Sequence, residues 1–157
     1  MRLALAAVAA LGLTATTAKA ADYVSIVQET AVNAPAETVW QKVGGYCDIG
    51  VWLKAPCQIT SGTDREVGAN RLIAGRINEV IVARTPLSYT YADADPKIMY
   101  HGTVEVRPVD KKTSKIVYTL FFDQSSVPAD QQAANRDRRK AMFGNVLNVM
   151  KAQAEAK

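Results

Sequence analysis

Val32-Asn33-Ala34-Pro35-Ala36-Glu37-Thr38-Val39-Trp40, continued by Val43-Gly44-Gly45-Tyr46 and Trp52, reads as a strand that ends in a sharp turn and passes into a short helix. Proline suits the first helical position because its missing N–H would be unpaired there anyway. Glu37 falls in the first turn, where the partial positive charge of a helix start favours a carboxylate. Val39, Trp40 and Val43 then share one face at helical spacing.

Upstream of this stretch, Met1-Arg2 carries one positive charge, residues 3–13 are uncharged and rich in Ala and Leu, and residues 14–20 end in Ala18-Lys19-Ala20. That order is a secretory signal peptide with an A-x-A cleavage pattern after Ala20, too short for a stable membrane span. No other apolar run approaches the ~20 residues a span requires. The expected product is therefore periplasmic or secreted, with residues 21–157 suiting one domain. Removing Arg2 and Lys19 leaves 17 basic against 15 acidic residues, so a net charge of +4 becomes +2. A balance so close to neutral does not point to nucleic acid. The basic cluster Arg136, Arg138, Arg139 and Lys140 reads as a solvated helix face, or as a surface for transient contact with an anionic membrane or acidic partner.

Cys47 and Cys57 are the only cysteines. In an oxidising compartment they form a disulfide that closes a short loop and stabilises by about 2–3 kcal/mol; two buried thiols are the alternative. With the single His101 they offer no metal-ligand spacing, and neither a metal nor another cofactor is expected.

The rest of the chain alternates strand character with turn punctuation. Residues 48–53 form a second short helix; strands cover residues 58–61, 69–74, 76–84, 87–92, 98–109 and 115–123. From residue 129 the period becomes helical, with Met142, Phe143, Val146, Leu147, Val149 and Met150 on an amphipathic final helix. Strand parity places Tyr100, Gly102, Val104 and Val106 on one face, Ile116, Tyr118, Leu120 and Phe122 on another strand's inward face, and Leu87, Tyr89 and Tyr91 likewise. A face so rich in tyrosine fits a cavity that holds water or a ligand with polar groups; otherwise each hydroxyl reaches the rim or a backbone carbonyl. Glu79 shares its strand face with Ile77, Ile81 and Ala83, a costly place for a carboxylate unless it is paired or hydrated. Lys54 is the candidate partner, or an anchor for an acidic ligand; alternatively Glu79 lies at a wet mouth and Lys54 is exposed. His101 falls on the outer face.

These pieces in this order resemble the START-like, or helix-grip, superfamily (SRPBCC), and most closely its polyketide cyclase/dehydrase-type branch. The resemblance rests on Asn33-Ala34-Pro35, Val39-Trp40, Val43 to Tyr46, Trp52-Leu53-Lys54, Val67-Gly68-Ala69-Asn70-Arg71, Ile77-Asn78-Glu79 and Tyr100 to Val106. It implies an α+β fold: a seven-stranded antiparallel curved sheet wrapped on a long C-terminal helix, with two short helices after the first strand. It also implies an apolar cavity between sheet and helix. More distantly the chain is similar to plant abscisic-acid receptors, whose pocket lysine and glutamate match Lys54 and Glu79; Tyr89, Tyr91, Tyr100 and Tyr118 match cavity-facing positions. Phe122, Met142 and Val146 complete the expected lining. The receptors' Pro-containing gate turn is replaced by Ala74-Gly75-Arg76, so hormone-type gating is not implied. The expected function is an exported carrier of a hydrophobic small molecule (a lipid, isoprenoid, polyketide or aromatic compound), acting as a monomer or weak dimer. The alternative is a cyclase, dehydratase or aromatase using Lys54, Glu79 and the tyrosines for acid–base work.

Overall fold

The computed structural model describes residues 20–94 and 98–156. The expected leader lies outside them apart from Ala20, as do Asp95 and Pro96 of an expected turn. The elements run β1 (Tyr23–Val32), α1 (Ala36–Val43), α2 (Ile49–Leu53), β2 (Cys57–Ser61), β3 (Asn70–Ile73), β4 (Ile77–Thr85), β5 (Ser88–Asp93), β6 (His101–Pro108), β7 (Ser114–Asp123) and α3 (Ala129–Glu155). The strands form one antiparallel sheet in the order β1-β7-β6-β5-β4-β3-β2, with α3 against its inner face.

Local chemistry accounts for each boundary that matters to the site. Pro35 takes the N-cap of α1 rather than its first turn, and its carbonyl accepts the Val39 N–H at 3.0 Å. Ala36, Val39, Trp40 and Val43 are buried, the i, i+3, i+4, i+7 stripe of a helix packed on one side. Lys54 ends α2 in the left-handed region at φ 52°. Strand β6 starts at His101, three residues later than the pattern predicts, because Met99 is left-handed at φ 47° and interrupts the extended run. Tyr100 is nevertheless buried, and Gly102, Val104 and Val106 continue its inward face. Ala83 does not share the Glu79 face. A bulge between Ile81 and Ala83 shifts the register so that Ala83 pairs with Thr90, and Ala83 is exposed.

The final helix packs unevenly. Its buried side chains are Phe143, Val146, Leu147, Met150 and Ala154, all in its second half, while Met142 is 42% exposed. That half is also tied down by polar contacts. Lys42 Nζ donates to the carbonyls of Ala154 and Ala156, satisfying helix-end acceptors for which α3 has no basic residue of its own. Trp52 Nε1 donates to Gln153 Oε1 at 3.1 Å, and the Asn33 N–H to Glu155 Oε1 at 2.9 Å. A disulfide joins Cys47, just before α2, to Cys57 at the start of β2.

Gly102 lies opposite Tyr91 in the β5–β6 ladder, and a Cβ there would come within 2.3 Å of the Tyr91 ring and hydroxyl. The missing side chain lets that ring lie flat across the neighbouring strand. Gly102→Ala should therefore lower stability by about 1–3 kcal/mol, the range for overpacking a core, in a urea titration. An unchanged midpoint would show that the ring moves aside freely. Reducing the disulfide, or replacing both cysteines by serine, should lower stability by about 2–3 kcal/mol if loop closure is the main effect. Equal midpoints with and without reductant would contradict that.

Candidate functional site

The hairpin between β3 and β4 organises the site. Ala74 and Gly75 both take positive φ (51° and 68°), and the Arg76 N–H returns to the Ile73 carbonyl at 3.1 Å, the twist-matched turn of a tight hairpin. Around that turn Ile73 faces Ile77 and Arg71 faces Glu79. Alternation then sends Arg71, Ile73, Glu79 and Ile81 inward, and Arg71 (0%) and Glu79 (4%) are buried.

Arg71 Nε donates to Glu79 Oε2 at 2.8 Å. Its Nη2 stands 2.5 Å from the same oxygen as an ion-pair contact without hydrogen-bond geometry, and its Nη1 donates to the Tyr46 carbonyl. The guanidinium plane is clamped between two rings, 4.1 Å from the Tyr46 centroid and 4.5 Å from that of Tyr91. Two desolvated charges are expensive, and such a pair persists only with good geometry and extra partners, here supplied by a carbonyl and two π faces. Burial raises the Glu79 pKa above the usual carboxylate range; Arg71 pulls it back and Asp93 adds to the rise. Burial alone would lower the Arg71 pKa, but the oxygens of Tyr89 and Glu79 more than reverse this, so the guanidinium stays charged.

Beside this pair lies a cavity of about 380 Å³, bounded by α2, the β3–β4 hairpin and the middle of α3. Leu53, Ile73, Ile77 and Phe143 give it apolar walls; Glu79, Tyr91, Tyr100 and Arg139 supply polar groups. It exists because the helix begins to bury side chains only at Phe143, leaving the space ahead of that residue unfilled. Exposed Ala74 and Arg76 and partly exposed Met142 form the rim. The tyrosines behind the wall form a polar layer. Tyr91 and Tyr118 share a hydroxyl–hydroxyl bond of 2.7 Å. The hydroxyls of Tyr46 and Tyr89 are buried without a hydrogen-bond partner among the described residues. Burial pushes the Tyr89 and Tyr100 hydroxyls up to about 12 and raises those of Tyr46, Tyr91 and Tyr118 as well. All five stay protonated at neutral pH and can donate.

Of the predicted ligand-binding residues, Glu79, Tyr91, Tyr100 and Met142 line the cavity. Tyr89 packs behind it between Trp40 and Tyr46, Tyr118 lies 4.7 Å from the Phe143 ring, and Phe122 and Val146 are buried in the core. Lys54 is exposed, although its neighbours Leu53 and Ala55 line the cavity. The expected Lys54–Glu79 pairing is corrected: the left-handed turn at Lys54 closes α2, and Arg71, directly across the ladder, holds the carboxylate. His101 is on the outer face, half-buried, with Nδ1 2.8 Å from the Met99 carbonyl and its ring near Phe121. The basic cluster is divided. Arg138 and Lys140 are exposed, whereas Arg136 Nη1 donates to Gln124 Oε1 at 2.9 Å and Arg139 turns to the cavity. Sequence reasoning missed Arg71, Arg139 and Tyr46. The hairpin symmetry about Gly75 could have found the first, and the i, i+3, i+4 spacing of Arg139, Met142 and Phe143 the second.

Glu79 holds its proton to higher pH in the folded than in the unfolded chain. Its contribution to stability is therefore greatest below its unfolded value of about 4.3 and declines as pH rises through the raised folded value. Arg71→Met removes the group that limits this rise and should cost about 3–5 kcal/mol, the range for stranding one partner of a buried pair. The deficit relative to the wild type should widen between pH 5 and pH 8 in urea titrations, and Arg71→Met combined with Glu79→Leu should recover much of it. A deficit that is the same at both pH values would show that Glu79 does not titrate between them.

The sequence matches the profile of the family described as polyketide cyclase / dehydrase and lipid transport over residues 23–155. No curated protein matches it in sequence. Among solved structures, the fold is similar to that of XoxI from Bacillus cereus, 21% identical, covering 82% of this chain and 93% of that one with a TM-score of 0.65. It is also similar to the Zhui aromatase/cyclase from a Streptomyces strain, 14% identical, covering 85% and 94% with a TM-score of 0.64. A protein from Nitrosospira multiformis is 18% identical, with coverage of 84% and 99% and a TM-score of 0.62. At these identities the likeness concerns the fold. With the family profile spanning every element from the start of β1 to the end of α3, this chain belongs to the polyketide cyclase / dehydrase and lipid transport family and has its helix-grip fold.

Proposed function

We propose that this chain is an exported binding protein that carries a hydrophobic small molecule, such as a lipid, isoprenoid, polyketide or aromatic compound, in the cavity between the sheet and α3. The observation that carries the reading is the cavity itself: about 380 Å³, largely apolar in its walls, with a few convergent polar groups and a rim at the surface. Ligand sites are built this way. The family's description includes lipid transport, which agrees with a carrier. Export is supported by the charged start, apolar core and A-x-A pattern of residues 1–20, and by a disulfide suited to an oxidising compartment. Among the described residues no helix is long and apolar enough to cross a membrane.

A catalytic reading of the same cavity has one specific observation behind it. Glu79, with its raised pKa, lies among protonated tyrosine hydroxyls, a set that could move a proton on a bound carbonyl compound. Its carboxylate is already engaged by Arg71, which favours a structural duty and ranks the enzyme second.

Protein recovered from the exported fraction of a bacterial host should begin at Ala21 by intact-mass measurement. Organic extracts of it should release a hydrophobic molecule in near-stoichiometric amount. Ile77→Trp, which fills the cavity from its wall, should remain folded and yield extracts without that molecule. Repeatedly empty wild-type extracts, or equal loading of the Trp variant, would overturn the carrier reading.

A further inference from the structure

We propose that the ligand is an amphiphilic monoanion, with its acid group held at the cavity rim by Arg139 and its apolar part lying against Ile73 and Ile77. The inference rests on the cavity being the binding site and adds the chemical class of what enters it.

Arg139 is placed unlike most of the basic side chains around the sheet. Arg71 is neutralised by Glu79, Lys115 by Glu29 and Arg107 by Glu105. Arg136 is taken up by Gln124, and Lys42 by the end of α3. Arg139 has no carboxylate within ion-pair distance among the described residues. Its Nε donates to Asn135 Oδ1 at 3.1 Å one turn earlier in the helix. Its guanidinium lies 4.3 Å from the Phe122 ring centroid and 5.5 Å from that of Tyr100. The ring contacts and the helix bond hold the guanidinium of a residue that lines the cavity, and Nε is the atom the helix bond engages. A guanidinium fixed in this way binds a carboxylate through two parallel N–H donors with little further ordering cost.

The remaining charges at the site favour the same sign of ligand. Arg76, on the β3–β4 turn, adds a second cation to the rim. Of the two acids at the cavity, Glu79 is held by Arg71, and Asp93 already has a partner. A cationic ligand would meet Arg76 and Arg139, and a neutral one would leave the Arg139 donors unused as it closed the rim. A cavity of about 380 Å³ is at the lower end of the range for small-molecule sites. A free single-chain or aromatic acid is of the size such a site takes.

Calorimetric titration of delipidated protein at pH 7.5 with decanoate and with decanol separates the acid group from the chain. The wild type should bind decanoate at least about tenfold more tightly than decanol, a difference of about 1.4 kcal/mol. Arg139→Gln should erase that preference while decanol affinity stays within about twofold. Arg139→Lys, which keeps the charge and loses the fork, should retain part of it; this variant also serves if the glutamine form does not fold. Equal wild-type affinity for acid and alcohol, or an undiminished preference in both variants, would overturn the proposal while leaving the carrier reading intact. Binding of neither compound would also overturn the proposal, and together with empty organic extracts it would overturn the carrier reading.

Discussion

The Arg71 guanidinium, fully buried between the rings of Tyr46 and Tyr91 and paired with Glu79, is the constraint around which the inner face of the sheet is arranged. A buried ion pair contributes little net stability by itself, but stranding either partner is costly, so the fold depends on the features that keep the pair matched. The hairpin register must set residue 71 opposite residue 79, which requires the positive-φ turn at Ala74-Gly75. Tyr91 must lie flat, which requires glycine at position 102. The Tyr46 carbonyl must face inward, which depends on the loop after α1, where the Tyr46 N–H donates to Asp64 Oδ1 at 3.0 Å.

The two halves of α3 do different things because of where its apolar residues fall. From Phe143 onward the helix is packed into the sheet and held at its end by Lys42, Trp52 and Asn33. Ahead of Phe143 it is polar and bridges a space instead of filling one. The cavity is thus a consequence of the helix's apolar stripe starting late, and its polar wall a consequence of the ion pair beneath it. The disulfide fixes the third wall by holding the segment around α2 to β2.

Most of the architecture was legible in the chain because it rests on local signals. Proline before a helical stripe, alternation in β6 and β7, and glycine- or proline-marked turns each leave a short-range trace. The two failures along the strands have local causes too: the bulge after Ile81 and the left-handed Met99 break the parity that the pattern assumes. The site was less legible because it is built from pairings across strands. Glu79 is conspicuous as a carboxylate among isoleucines, but its partner depends on register, and Lys54 is nearer in pattern than in space. Arg71 becomes predictable only after the hairpin is centred on Gly75. Arg139 was hidden in a basic run that reads as a solvated face, because its direction is set by the Phe122 and Tyr100 rings.

The most direct test of the central claim, that the space between the β3–β4 hairpin and α3 is a ligand site, is an isotope-filtered NMR measurement of contacts between a bound hydrophobic ligand and assigned side-chain methyls. The account predicts intermolecular NOEs to the methyls of Ile73, Ile77 and Met142. NOEs confined to the outer face of the sheet, at the Val27 methyls and the Tyr23 and Phe121 rings, would contradict it.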